Sequence, residues 1–265
     1  MAILWGLGEF VISMVVFFIL GLAGWPGKDD SCVQNRSGGA ENACYCERFH
    51  PGMIKQPINT WSNLGFVFVG LLILAFLGNE VLGGSAPGNP MATATFYSVG
   101  FGAAVIFLGP GSMFFHASMK KWGGWIDNLS MYMFISFFLL YEVVRVLDAG
   151  VGLFIVLFLG VNIGLGILTW MVDDSGKWIF GVLVAITLTT EVVFLTTNAG
   201  GLEREWMPWL LLALISFGAA FIIWLLSNTG GVLCNPDSWL QGHAVWHLLA
   251  AVSTGFLYLY LLTGF

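Results

Sequence analysis

Charge is what this sequence has least of. Only 9% of its 265 residues are Asp, Glu, Lys or Arg, against about a quarter in an ordinary soluble domain, while 58% are hydrophobic. A chain so poor in charge cannot cover a water-facing surface, so most of it must face something else. Nine basic against fifteen acidic residues leave a net charge of −6 and no basic surface, which excludes nucleic acid as a partner. Cysteine is scarce as well. Cys32, Cys44, Cys46 and Cys234 form none of the paired C-x-x-C clusters of a structural zinc site. Histidine occurs four times, and three of the four fall in apolar segments.

What the chain has instead is apolar length and aromatic bulk. Twelve Trp and 23 Phe suit helix interfaces and the headgroup belt of a bilayer. The apolar runs are roughly 20 residues long, enough to cross ~30 Å as a helix. Barrel strands would instead show alternation over ~10 residues. Backbone in lipid must pair its own N–H and C=O groups, so these runs predict an all-α polytopic membrane protein. Eight spans are expected, over 3–24, 57–78, 92–119, 125–147, 151–172, 178–197, 207–226 and 243–263. The first carries Glu9, lacks a positive leading region and ends without a clear cleavage site, so it reads as an uncleaved helix rather than a signal peptide. The expected layout is an N-terminal transmembrane helix (1–24), a polar Cys-containing segment (25–56) and a seven-transmembrane core (57–265).

Two signals bear on orientation, and they oppose each other. If the spans alternate, one side receives Lys28, Arg36, Arg48, Lys55, Lys120, Lys121 and Lys177, and the other only Arg145 and Arg204. Positive-inside counting puts the first side in the cytoplasm. All four Cys fall on that same side, and paired cysteines belong to an oxidising compartment. The reading adopted is that the Cys-bearing side is exported.

Ionisable groups inside spans are costly and point to function. His243-Ala-Val-Trp-His247 sets two imidazoles one turn apart on one helix face, as metal ligands require. Ser112-Met-Phe-Phe-His116 repeats that spacing near the end of the third span. Asp127 opens the fourth, just past a Lys-Lys-Trp-Gly-Gly turn. Strict alternation brings all five to one side of the bundle. Three neutral imidazoles make a tetrahedral zinc site with one position left for water, the catalytic rather than the structural pattern. Asp127 then serves as general base or orients a ligand, and Ser112 hydrogen-bonds the water or the developing oxyanion. His50 lies in the polar segment and reads as a solvated loop residue. Glu142 and Arg145 are spaced to pair with each other. Glu191, among threonines, is either a hydrogen-bonded packing residue or part of a cavity lining.

These motifs resemble the superfamily of alkaline ceramidases and adiponectin/progestin receptors, and the detail resembles the alkaline ceramidase branch. The carrying segments are Gly109-Pro-Gly-Ser-Met-Phe-Phe-His-Ala-Ser-Met119, Trp125-Ile-Asp-Asn-Leu-Ser-Met131, the Cys234 to His247 lead-in, and Asn59-Thr-Trp-Ser-Asn63. The resemblance runs from about Cys44 to the C-terminus. It implies a seven-helix core, with the first helix as an extra. It also implies hydrolysis of the N-acyl amide of ceramide, or a related lipid, to a long-chain base and fatty acid. Carried over, His116, His243 and His247 are zinc ligands, Asp127 the base or proton relay, and Ser112 the group beside the reacting water. Animal members also hold Ca2+ with acidic and Asn residues just before the first core helix. Here Glu47 stands as a remnant and Gln56 falls where a Glu is expected, leaving few hard oxygen ligands for Ca2+. The competing reading within the superfamily is a receptor-like or haemolysin-III-like membrane protein with a structural zinc. A transporter would show repeated halves or paired broken helices, and neither is seen.

Overall fold

The computed structural model describes residues 1–34, 44–77, 89–197 and 207–263. Ten helices occur among the described residues: α1 (Ala2–Leu22), α2 (Ser31–Gln34), α3 (Pro57–Ser62), α4 (Leu64–Phe76), α5 (Phe96–Ser118), α6 (Lys121–Val146), α7 (Val151–Met171), α8 (Gly176–Thr197), α9 (Met207–Ser227) and α10 (Gly242–Thr263). Counting α3 and α4 as one span, eight are long and apolar enough to cross a membrane. The protein is an all-α, multi-pass integral membrane protein. Gly78, which ends the second expected span, and Arg36 and Arg204, used in the charge reading, lie outside the described residues.

Burial divides the helices by role. α5 is covered along most of its length, from Phe101 to Ser118. It packs against α4 on one side and α6 on the other, while α10 joins α4 to α9. Close approach of α5 to α4 depends on missing side chains. A Cβ at Gly70 would lie 2.5 Å from Ile106, and one at Gly109 would lie 3.0 Å from the Asn63 carbonyl oxygen. By contrast α7 and α9 turn Leu153, Val156, Ile163, Leu211, Ile215 and Ile222 outward, which in a bilayer is contact with lipid. The extra helix α1 rests on the outside of α4 and α5, with Phe17 against Trp25 and Phe114.

One expectation about α6 is corrected. The Lys-Lys-Trp-Gly-Gly stretch is not a turn before the helix but its first turn, and Asp127 sits one turn further in. The chain reverses at Met119, which takes a left-handed conformation (φ 53°) and ends α5, followed by extended Lys120. Gly123 and Gly124 serve packing rather than reversal. A Cβ at Gly123 would stand 3.1 Å from the Phe114 carbonyl oxygen, and one at Gly124 would stand 2.9 Å from Asp30.

The polar segment forms a strap across this end of the bundle. Cys32 pairs with Cys44, and Cys46 with Cys234, so all four cysteines are in disulfides. The Lys55 and Gln56 N–H groups donate to the carbonyls of Ala117 and His116, two of the acceptors that the end of α5 leaves without helical partners. Asp30 N–H donates to Met119, and Lys121 N–H to Lys28. Ion pairs tie down the rim: Lys120 with Asp29 and Lys121 with Asp173 at 2.7 Å, and Arg48 with Asp237 at 2.5 Å.

Candidate metal centre

The site begins with where two helices place three histidines. His116 lies in the last turn of α5, and His243 and His247 in the first two turns of α10. They are 0%, 6% and 3% exposed. One ring nitrogen from each lies within 4.8 Å of the others, the only such group of His, Cys, Asp or Glu ligand atoms among the described residues. His116 Nε2 and His243 Nε2 face each other at 3.2 Å. Two nitrogens each about 2.0–2.1 Å from a tetrahedral ion stand roughly 3.3–3.4 Å apart, so the spacing fits a shared metal.

The outer nitrogens of two rings are held by hydrogen bonds. His116 Nδ1 is 2.8 Å from Gln56 Oε1, and His247 Nδ1 is 2.8 Å from Ser62 Oγ. The third, His243 Nδ1, is buried without a hydrogen-bond partner, and its ring lies against Tyr45 at 4.2 Å between centroids. Buried polar atoms without partners are rare and ask for an explanation. A metal ion does not answer His243 Nδ1 itself; what points to one is the convergence of a ring nitrogen from each of the three histidines within 4.8 Å of the others. The three buried histidines can therefore hold a metal ion.

Ser62 reaches His247 because the first core span is broken. The Asn59 carbonyl accepts from the Asn63 side chain at 2.8 Å and from the Ser62 hydroxyl at 3.0 Å. These side chains compete with the backbone ladder, and the helix is interrupted at Asn63. Ser112, one turn before His116, is 5% exposed and hydrogen-bonds the half-buried Asp127 carboxylate. Asp127 in turn faces Tyr45 electrostatically, and Tyr45 contacts both His116 and His243. All five residues singled out in the sequence thus gather at one end of the bundle. Burial, and then the Asp127 carboxylate, push the Tyr45 phenol above its ordinary range, so it is a neutral hydrogen-bond donor.

Three neighbours were not marked as site residues in the sequence: Tyr45, Gln56 and Ser62. Gln56 drew notice only as a departure at an expected calcium ligand, and Ser62 only within a motif. No spacing rule pointed to Tyr45. Its positive φ of 53°, followed by 67° at Cys46, is a backbone feature that neither residue type announces. The calcium remnant is otherwise engaged. Glu47 Oε1 and Oε2 accept from the N–H groups of Ile58 and Asn59 at 2.8 and 2.7 Å, capping α3. Burial raises the Glu47 carboxyl while these two bonds pull it down. Both Glu47 oxygens and the Gln56 side-chain carbonyl thus already accept hydrogen bonds within the protein.

Elsewhere, His50 is exposed in the strap, as a solvated residue should be. Arg145 pairs with Glu142 at 2.5 Å, and Tyr260 donates to Glu191, both near the opposite ends of their helices.

No curated protein matches the chain. A family model, that of the ceramidases, matches residues 44–263, which takes in the strap from Cys44 onward, every core helix and all three histidines. With a match over most of its length, and with the Ser112/His116, Asp127 and His243/His247 pattern inside it, the chain belongs to the ceramidase family.

Proposed function

We propose that this protein is a zinc-dependent amidohydrolase that cleaves the N-acyl amide of ceramide, or a closely related lipid, to a long-chain base and a fatty acid. The observation that carries the reading is the convergence of three buried imidazole nitrogens beside a Ser112–Asp127 pair, in a ceramidase-family membrane protein. Three neutral nitrogen ligands favour zinc over harder ions. No fourth His, Cys, Asp or Glu atom joins the group among the described residues, which supports an open site over a closed structural one.

Zinc held there would polarise the amide carbonyl and lower the pKa of a water to about 7. The remaining work falls to the chain. Asp127 takes a proton as the water oxygen bonds to the amide carbon. It then returns that proton to the nitrogen as the C–N bond breaks, leaving a free amine and a carboxylic acid. The Ser112 hydroxyl, hydrogen-bonded to Asp127, fixes the carboxylate toward the reacting water. Tyr45, neutral and in tilted ring contact with His243, covers the site from the strap and keeps bulk water out. In this reading residues 57–265 are the hydrolase core, 25–56 the strap that closes it, and 1–24 a peripheral transmembrane helix. The two disulfides support assigning the strapped end to an oxidising compartment. The three cations of this end that are ion-paired with Asp29, Asp173 and Asp237 leave its local charge lower than the cation count suggests.

The test is fatty-acid release from labelled ceramide by the purified protein, with and without a zinc chelator. Expected is loss of turnover on chelation, recovery on adding Zn2+, and none in His243→Ala. Turnover that survives both chelation and the substitution would sink the proposal.

A further inference from the structure

We propose that Gln56 is a positioning residue for the metal centre, holding His116 in the tautomer that turns its Nε2 lone pair inward and coupling that ligand to the disulfide strap. The inference rests on the metal reading above and concerns how one ligand is prepared.

The side-chain amide of Gln56 is fully buried, and its orientation is set by what surrounds it. Its Nε2 lies 2.6 Å from the Cys44 carbonyl oxygen and 3.0 Å from that of Glu47. Carbonyls only accept, so this end must be the NH2. A flipped amide would set oxygen against two oxygens and leave two buried acceptors unsatisfied. Oε1 therefore faces His116 Nδ1 at 2.8 Å, and the Asn59 amide nitrogen approaches the same oxygen at 3.4 Å. An amide oxygen cannot donate, so the hydrogen sits on His116 Nδ1. Nε2 is left as a bare lone pair, pointing at His243 Nε2. Metal-binding histidines are ordinarily prepared in this way, by a group that accepts from the other ring nitrogen.

The same residue is held by its backbone as well. Gln56 N–H donates to the His116 carbonyl at 3.0 Å, so main chain and side chain grip one ligand from both sides. The two carbonyls that orient the amide belong to Cys44 and Glu47, which flank Cys46; Cys44 is bonded to Cys32 and Cys46 to Cys234. The strap thus acts on the centre through one neutral side chain.

Three forms of the full-length protein separate this role from mere packing: wild type, Gln56→Met and Gln56→Glu. Met keeps the shape without an acceptor. Glu, ionised or protonated, keeps an oxygen that accepts from His116 Nδ1 but gives up the paired donation to Cys44 and Glu47. Zinc affinity is read by chelator competition, and the number of imidazole ligands by X-ray absorption. Gln56→Met is expected to bind zinc about 10–100-fold more weakly, the usual loss when a ligand-orienting partner is removed. Gln56→Glu is expected to stay within a few fold of wild type with three imidazoles, even where its melting temperature falls. Wild-type affinity in Gln56→Met overturns the inference. So does an equal loss of affinity in Gln56→Glu, which assigns the effect to the strap rather than to the acceptor. A wild-type protein that holds no zinc removes the metal reading itself, and this inference with it.

Discussion

Helix α10 carries a buried polar cluster at each end, and the two are built on different logic. At its start His243 and His247 meet His116. Near its finish, roughly 25 Å away at 1.5 Å per residue, Tyr260 meets Glu191, with the Glu142–Arg145 pair nearby in the electrostatic sense. The far cluster is made of opposites: a cation against a carboxylate and a hydroxyl donor against a carboxylate. Its members largely answer one another. The near cluster is made of likes, three imidazoles with one nitrogen each converging within 4.8 Å, while two outer nitrogens are anchored. Burial is common to both, so burial does not make a site. Convergence of like ligand atoms does.

That contrast is most severely tested by removing ligands. His116→Ala, His243→Ala and His247→Ala should each cut ceramide turnover by at least about a thousandfold, since a catalytic metal supplies several kcal/mol to the transition state. Zinc content should fall with turnover. Glu191→Gln should leave the metal content at the wild-type level. If zinc is lost from Glu191→Gln as readily as from His243→Ala, the two ends are one coupled unit and the distinction fails.

Next in size is the Ser112–Asp127 pair. Asp127→Asn keeps shape and a hydrogen-bonding oxygen but cannot take a proton, and should cost about 10²–10⁴ in kcat, the range of a positioned acid–base group. Zinc binding should be retained, which separates proton transfer from metal retention. Ser112→Ala should act in the same direction and more weakly. Full zinc occupancy together with full activity in Asp127→Asn would remove Asp127 from the mechanism.

The far cluster should respond in stability instead. Tyr260→Phe leaves a Glu191 oxygen buried without its donor, at a cost of about 1–3 kcal/mol, read as a lower melting temperature in detergent at unchanged zinc content. Opening the Cys46–Cys234 link by the paired Cys→Ser change should cost about 2–5 kcal/mol in the same assay.

How much of this was readable beforehand follows from the kind of information each feature carries. The spans were legible because lipid imposes length and composition on every one, and the expected starts of the fifth and seventh spans, 151 and 207, match the helices found. The histidines were legible because a helix converts i, i+4 spacing into a shared face. The start of α6 was misjudged because Gly-Gly is the same two letters whether it reverses a chain or admits a neighbour. Here Asp30 and the Phe114 carbonyl occupy the space, and the reversal fell to Met119, a residue with no turn signature. Gln56 and Ser62 were not marked as site residues for a similar reason. Their role lies in contacts with His116, 60 positions on, and His247, 185 positions on, which no local pattern encodes.

The smallest effect belongs to the exposed rim, and its sign can be worked out. Arg48 donates to Asp237 from two nitrogens, Nε at 2.5 Å and Nη2 at 2.8 Å, and this bonding holds the Asp237 carboxyl below its ordinary range. A carboxyl lowered by folding contributes stability that is present above its unfolded pKa, near 3.9, and is lost as pH falls through the lower folded value. Between pH 8 and pH 5 the contribution should therefore be constant. The pair is solvent-exposed, so water and salt screen it, and Asp237→Asn should leave the melting temperature at pH 7 unchanged within error. The adjoining Arg48 N–H bond to the Pro236 carbonyl and the Cys46–Cys234 disulfide hold the same strap independently. A large loss of stability in Asp237→Asn, or one that grows between pH 8 and pH 5, would mean that the rim ion pair rather than the disulfide closes the metal end of the bundle.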